Sequence, residues 1–180
     1  MALTAFGAAF ADADPGRALS VLTEAIAYAR EHRLIIWVTI LEHLAATFEA
    51  THGDLDGGLE LFDRVIDSFH QAGNRGSLPY ALLDLVVVFD RMQRPEMAAS
   101  PYGAATRDDG GIRPPDLPGA VEHLRTALGA PRFDERVAAG AAMEMADAVR
   151  YARAQIQVVR SELAVSSATA RSSRSSYEFA

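Results

Sequence analysis

The sequence predicts an all-α fold, an α-solenoid of stacked helical hairpins with a repeat of about 40 residues. Three observations predict it. Apolar residues recur at the i, i+3, i+4 spacing of one helix face through most of the first hundred positions. Helix-start signals stand 40 residues apart at Pro15, Leu55 and Pro95. Apolar pairs four residues apart then mark the end of the helix preceding each start: Phe6 with Phe10, Leu44 with Phe48, and Leu85 with Phe89. With 49% hydrophobic and 23% charged residues in 180, the chain has enough apolar material for a core and is not globally disordered.

Met1 to Ala13 is apolar but has no positive charge ahead of its apolar part, so it does not read as a secretory signal. Phe6 and Phe10 occupy the places that Leu44 and Phe48 hold one unit later, so residues 1–11 match only the second half of a hairpin's first helix. The first repeat of the 1–105 hairpin region is therefore expected to be incomplete, with an apolar edge open to a partner or a second copy. Asp14 is a good N-cap and Pro15 suits the first helical position. Leu19, Leu22, Ala25, Ile26 and Ala29 follow on one face. The segments Leu34 to Phe48 and Leu78 to Phe89 contain Ile-Ile-Trp-Val and Leu-Val-Val-Val runs that also suit buried strands. Their length, and the shared spacing of Leu41, Leu44 and Phe48 with Leu82, Leu85 and Phe89, favours helices. Asp54 to Asp56 opens another helix through Leu59, Phe62, Val65, Ile66 and Phe69, stopped by Gly73. In the third unit Pro95, Ala98, Ala99 and Tyr102 fall in register with Leu55, Gly58, Leu59 and Phe62.

A Pro- and Gly-rich connection at 106–118 breaks the pattern. C-terminal helices are expected in 119–164: Ala120 to Leu128, a short Phe133 to Ala139, and a long Met143 to Leu163. In the last of these, Val149, Ile156 and Val159 face one way, and Arg150, Arg153, Gln157 and Arg160 face the other. Residues 165–180, rich in Ser, Ala and Arg without apolar period, read as a disordered tail.

The strings Leu85-Val-Val-Val-Phe89-Asp-Arg-Met-Gln-Arg-Pro95 through Arg107, Val121-Glu-His-Leu-Arg-Thr-Ala-Leu128-Gly, and Phe133 through Met143 resemble the C-terminal helical-repeat region of large actinobacterial regulators of the LuxR type. The resemblance covers roughly residues 15 to 160 and rests on texture and the order of elements. It implies a tetratricopeptide-like solenoid and a role in cytoplasmic signalling and transcription regulation through protein contacts, next to a signalling ATPase module and a terminal DNA-binding helix-turn-helix. All 17 basic residues are Arg, so a phosphate loop, which needs Lys, is excluded. The chain after Leu163 is also too short and Ser-rich for the DNA-binding module. What remains is a repeat segment without the enzymes.

Zero Cys excludes disulfides, thiolate metal sites and cysteine nucleophiles, and is compatible with a cytoplasmic protein. No apolar run reaches the roughly 18 to 20 residues that cross a bilayer, which predicts a soluble chain. His52, Asp54 and Asp56 are oxygen- and nitrogen-rich, yet lack the further acidic ligands of a calcium loop, so they read as a turn and helix cap. Asp108-Asp109-Gly110-Gly111 reads as a turn. Glu42-His43 and Glu122-His123 are adjacent on helices and point apart, so neither pair forms an acid–base couple. His32 and His70 sit near helix ends, where a cation suits the dipole. Arg150, Arg153 and Arg160 read as a solvated face, because a net charge of -7 opposes nucleic-acid binding. No catalytic, cofactor-binding or metal residues are assigned, no cofactor is expected, and the chain is expected not to be an enzyme. Partner contact is assigned to Phe6, Phe10, Trp37 and Tyr80, the last two through an aromatic lining near the start of a first helix. The leading reading is a non-enzymatic interaction module that binds a protein partner or missing domains of a larger regulator. The alternative is a small-molecule sensing domain that receives an inducer in a concave groove.

Overall fold

The computed structural model describes residues 14–107 and 113–177, with side chains described as far as residue 169. It is all-helical among those residues. Eight helices follow in order: α1 Pro15–Glu31, α2 Ile35–His52, α3 Leu55–Gln71, α4 Ser77–Arg91, α5 Pro95–Thr106, α6 Leu117–Leu128, α7 Ala130–Ala141 and α8 Met145–Tyr177. Both ambiguous apolar runs are helical, as their length required.

Local signals explain most boundaries. The Asp14 carboxylate accepts from the Arg17 amide at 3.0 Å with Pro15 in the first turn. Asp54 accepts from the Asp56 amide at 3.1 Å and opens α3. The turns after α1, α3 and α4 share one geometry: a left-handed residue, Arg33 (φ 55), Gly73 (φ 63) or Gln93 (φ 57), is followed by an amide bonded five residues back. Glycine takes that conformation at no steric cost, whereas Arg33 and Gln93 take it against their Cβ atoms.

Helices α6 and α7 begin earlier than their apolar pattern, at Leu117 and Ala130, because Pro118 and Pro131 fall in their first turns. A proline there is pre-organised for the helix and interrupts nothing. The connection at 106–118 falls between α5 and α6, and Asp108 to Gly111 lie outside the described residues. The tail expected to be disordered from residue 165 is instead helical as far as Tyr177. Ala and Arg keep good helix propensity, and an established helix adds residues without a new nucleation cost.

Helix α4 sits at the centre. From Ala81 to Phe89 every residue is buried, and a helix apolar on all sides is a helix surrounded on all sides. It packs against α5, α6, α3 and α2. One core runs through α2 to α8, with Leu59, Phe62, Ile66, Leu82, Leu85, Phe89, Leu124, Phe133, Ile156 and Val159 among its members. The C-terminal helices thus share the core of the hairpins. A second, smaller cluster of Leu22, Ala25, Ala29, Leu41 and Ala45 joins α1 to α2, which leaves α1 at the edge of the described structure.

Helices α5 and α7 approach each other closely at two glycines. A Cβ added at Gly140 would fall far inside contact distance of the Ser100 carbonyl oxygen, and one at Gly103 would do the same to the Val137 carbonyl oxygen. Reciprocal glycines let the two backbones touch.

Candidate functional site

Three features stand apart from ordinary core packing. The first is a polar cluster inside the hydrophobic interior. His43 of α2 and Asp84 of α4 are 5% and 8% exposed, and His43 Nε2 lies 2.9 Å from Asp84 Oδ2. That distance suits an ion pair, but the carboxylate is off the ring nitrogen's bonding direction, so Nε2 makes no aligned hydrogen bond. The Thr47 hydroxyl donates to the same carboxylate oxygen at 3.4 Å. The rings of Phe62, Phe69 and Tyr80 surround the imidazole edge-on, with centroids 6.1, 6.0 and 5.2 Å away. Burial pushes the Tyr80 hydroxyl above its ordinary pKa, and the Asp84 charge pushes it the same way.

The second feature is an ionic ladder between α3 and α8. Arg153 donates from Nε to Asp63 at 2.8 Å and from a terminal nitrogen to Asp67 at 2.5 Å. Seven residues on, Arg160 reaches Asp56 at 2.8 Å and Glu60 at 2.9 Å. Hydrogen bonding from Arg160 holds the Asp56 carboxyl below the usual carboxylate value, and both guanidiniums are held more firmly protonated in return. Under the ladder Val149, Ala152, Ile156 and Val159 are buried. Val149, Ile156 and Val159 thus face the core as their spacing predicts. The opposite face is not simply solvated: Arg153 and Arg160 are consumed by α3, and Arg150 is exposed and paired with Asp147.

The third feature is exposed apolar surface where α1 turns into α2. Leu34, Ile35, Ile36 and Trp37 are 41, 77, 75 and 43% exposed, and Tyr28, near the end of α1 with its ring 4.1 Å from that of His32, is 61% exposed. Four consecutive large apolar side chains in water at a helix start are costly, and such patches mark contact surfaces.

Of the residues assigned to partner contact, Phe6 and Phe10 lie outside the described residues. Trp37 belongs to the exposed turn. Tyr80 is half-buried against His43, so Trp37 and Tyr80 enter different features. The acidic residues at the α2–α3 turn are structural: Asp54 caps α3 and Asp56 engages Arg160. Among the described residues no three His, Asp or Glu side chains converge to hold a metal ion. His123 meets Asp90 at 3.2 Å on the surface, and the His52 ring stacks on Phe48. Two open depressions are lined by Asp56, Arg160, Ser161, Leu163, Ala164 and Ser167 (about 330 Å³) and by Pro131, Arg132, Glu135 and Arg136 (about 510 Å³). Neither has an aromatic wall.

The sequence reading missed the His43–Asp84 pair because it compared His43 only with its neighbour Glu42. A lone carboxylate inside the Leu82–Phe89 run was the available signal. It also missed the ladder, although Asp56, Glu60, Asp63 and Asp67 recur at helical spacing opposite two Arg seven residues apart.

No known protein family, curated protein or solved structure matches the chain. Among the described residues, no helix is long and apolar enough to cross a membrane.

Proposed function

We propose that the chain is a non-enzymatic, tetratricopeptide-like helical-repeat module that works by protein–protein contact, as a relative of the repeat region of LuxR-type regulators acting in the cytoplasm. The observation that carries the contact role is the exposed Leu34–Trp37 turn with Tyr28, a compact set of aromatic and aliphatic anchors of the kind that dominate interface energetics.

The repeat reading is supported by position. Ala18, Gly58 and Ala98 stand 40 residues apart and are all buried, on α1, α3 and α5. His43 and Asp84 are 41 residues apart, the same offset as Leu44 to Leu85 and Phe48 to Phe89. The pair thus joins equivalent positions of α2 and α4, as expected where the first helices of successive hairpins stack.

The test is a capture experiment with the wild-type chain and Ile36→Asp, a change at a side chain 75% exposed. Protein partners retained by the wild type and lost by the variant are expected. An identical set on both would refute the contact role, as would retention by neither of any protein, including a differently tagged second copy of the chain supplied in the capture.

A further inference from the structure

We infer that the exposed α1–α2 turn docks onto the same turn of a second copy of this chain, giving a two-fold symmetric dimer. The inference rests on the contact role proposed above and names the partner.

Its first support is apolar exposure. Leu34, Ile35, Ile36 and Trp37 are consecutive and 41, 77, 75 and 43% exposed, with Tyr28 at 61%, apolar surface of the kind that forms the centre of an interface to which each partner gives ~800 Å².

The second is charge at the rim. Glu31 ends α1 and Arg33 lies in the turn just ahead of Leu34, both exposed and outside every described ion pair, whereas the nearby Arg30 is taken by Glu42 at 2.5 Å. A rim with one free charge of each sign is complementary to itself under a two-fold axis, with Glu31 of one copy meeting Arg33 of the other. A lipid surface or a nucleic acid calls for a rim of one sign.

The third is the start of α2. Its N-cap residue is Leu34, which supplies no side-chain acceptor, so the first-turn amides lack a cap. They lie beside the apolar anchors, and Glu31 of the second copy is a carboxylate of the sign a helix N-terminus favours.

A comparison within the chain shows what the surface lacks. Leu78 of α4 is offset from Trp37 by the same 41 residues and is 3% exposed against 43%. Helix α2 packs against α1, α3 and α4, and none of these covers the side chains at its start. In the dimer, the second copy covers that exposed start.

The decisive measurement is the mass of the full chain by light scattering or sedimentation over about 1–200 µM, since dimerisation follows mass action. A concentration-dependent dimer is expected. Ile36→Asp should weaken it by about a hundredfold or more, because a carboxylate enters the apolar centre from both sides, with the circular dichroism unchanged. Glu31→Arg and Arg33→Glu should each weaken it and the two together should restore it. A wild-type monomer throughout, or a dimer indifferent to Ile36→Asp, overturns the inference. A monomer that still captures a different protein through Ile36 overturns self-association and leaves the contact role standing. A monomer that binds anionic phosphatidylglycerol vesicles through Ile36 also overturns it. A monomer with no Ile36-dependent binding removes both readings.

Discussion

Replacing His43 by Leu should be among the most damaging single changes outside the large core side chains, and the reason is the carboxylate it abandons. Asp84 is 8% exposed, and its described partners are His43 at 2.9 Å and Thr47 at 3.4 Å. With the imidazole gone, a buried carboxylate keeps one long hydrogen bond. Breaking a buried pair from one side costs about 3 kcal/mol or more. Asp84→Ala leaves an imidazole enclosed by aromatic rings in place of an abandoned carboxylate and should cost less, about 1–2 kcal/mol. Removing both leaves an apolar interior among Phe62, Phe69 and Tyr80, so the double variant should lie within about 1 kcal/mol of wild type. The coupling energy of the cycle is then about 3 kcal/mol or more. Urea unfolding followed by circular dichroism gives the answer. With a slope of about 2 kcal/mol/M, His43→Leu should lower the midpoint by about 1.5 M. If its midpoint stays within about 0.3 M of wild type, or the double variant loses the sum of the single losses, the pair is not a coupled buried unit and the reasoning fails.

Three further outcomes follow from the fold. Gly140→Ala should destabilise by about 2–3 kcal/mol, read by thermal or urea unfolding, because its Cβ meets the Ser100 backbone and α5 and α7 must separate. Gln93→Gly should be neutral to stabilising by up to about 1 kcal/mol, since it relieves a left-handed Cβ at φ 57 while loosening the unfolded chain; a clear loss would mean that the Gln93 side chain holds the turn. Asp56 has its folded pKa lowered by Arg160, so its contribution to stability is full above its unfolded value of 3.8 and is lost as pH falls below that towards the folded value. Arg160→Gln should flatten the fall in unfolding midpoint as pH drops below 3.8, and an unchanged acid limb would show that the ladder contributes nothing.

How much was legible depended on whether the information was local. Helix identity was local. Asp14-Pro15, Asp54 and Gly73 announce their own boundaries, and the period of the Leu82–Phe89 run distinguishes helix from strand over its length. The prolines at 118 and 131 misled because a proline is read first as a breaker, and only the helix after it shows that it sits in a first turn. Pairings between helices were legible only in hindsight. Nothing near His43 names Asp84, and nothing near Arg153 names Asp63, 90 residues away. Yet both obey patterns present in the chain: the 41-residue offset between α2 and α4, and the seven-residue step shared by the acidic stripe and the two guanidiniums.

The exposed turn shows where pattern stops. Trp37 and Leu78 stand at the 41-residue offset, four residues ahead of Leu41 and Leu82 on the same apolar spacing. Leu78 is buried because α4 is packed from several sides, including by α2. Trp37 is half in water because the described structure provides no such neighbour for the start of α2. Periodicity records which side chains need cover and says nothing about what supplies it, so the end of a stack and its middle read alike. An apolar helix start that is buried in α4 and bare in α2 is what motivates the proposed dimer, and mass measurement with Ile36→Asp addresses it directly. Were Ile35 and Ile36 merely incidental surface residues, replacing both by Gln would change neither oligomeric state nor solubility; the anchor argument requires the dimer to dissociate.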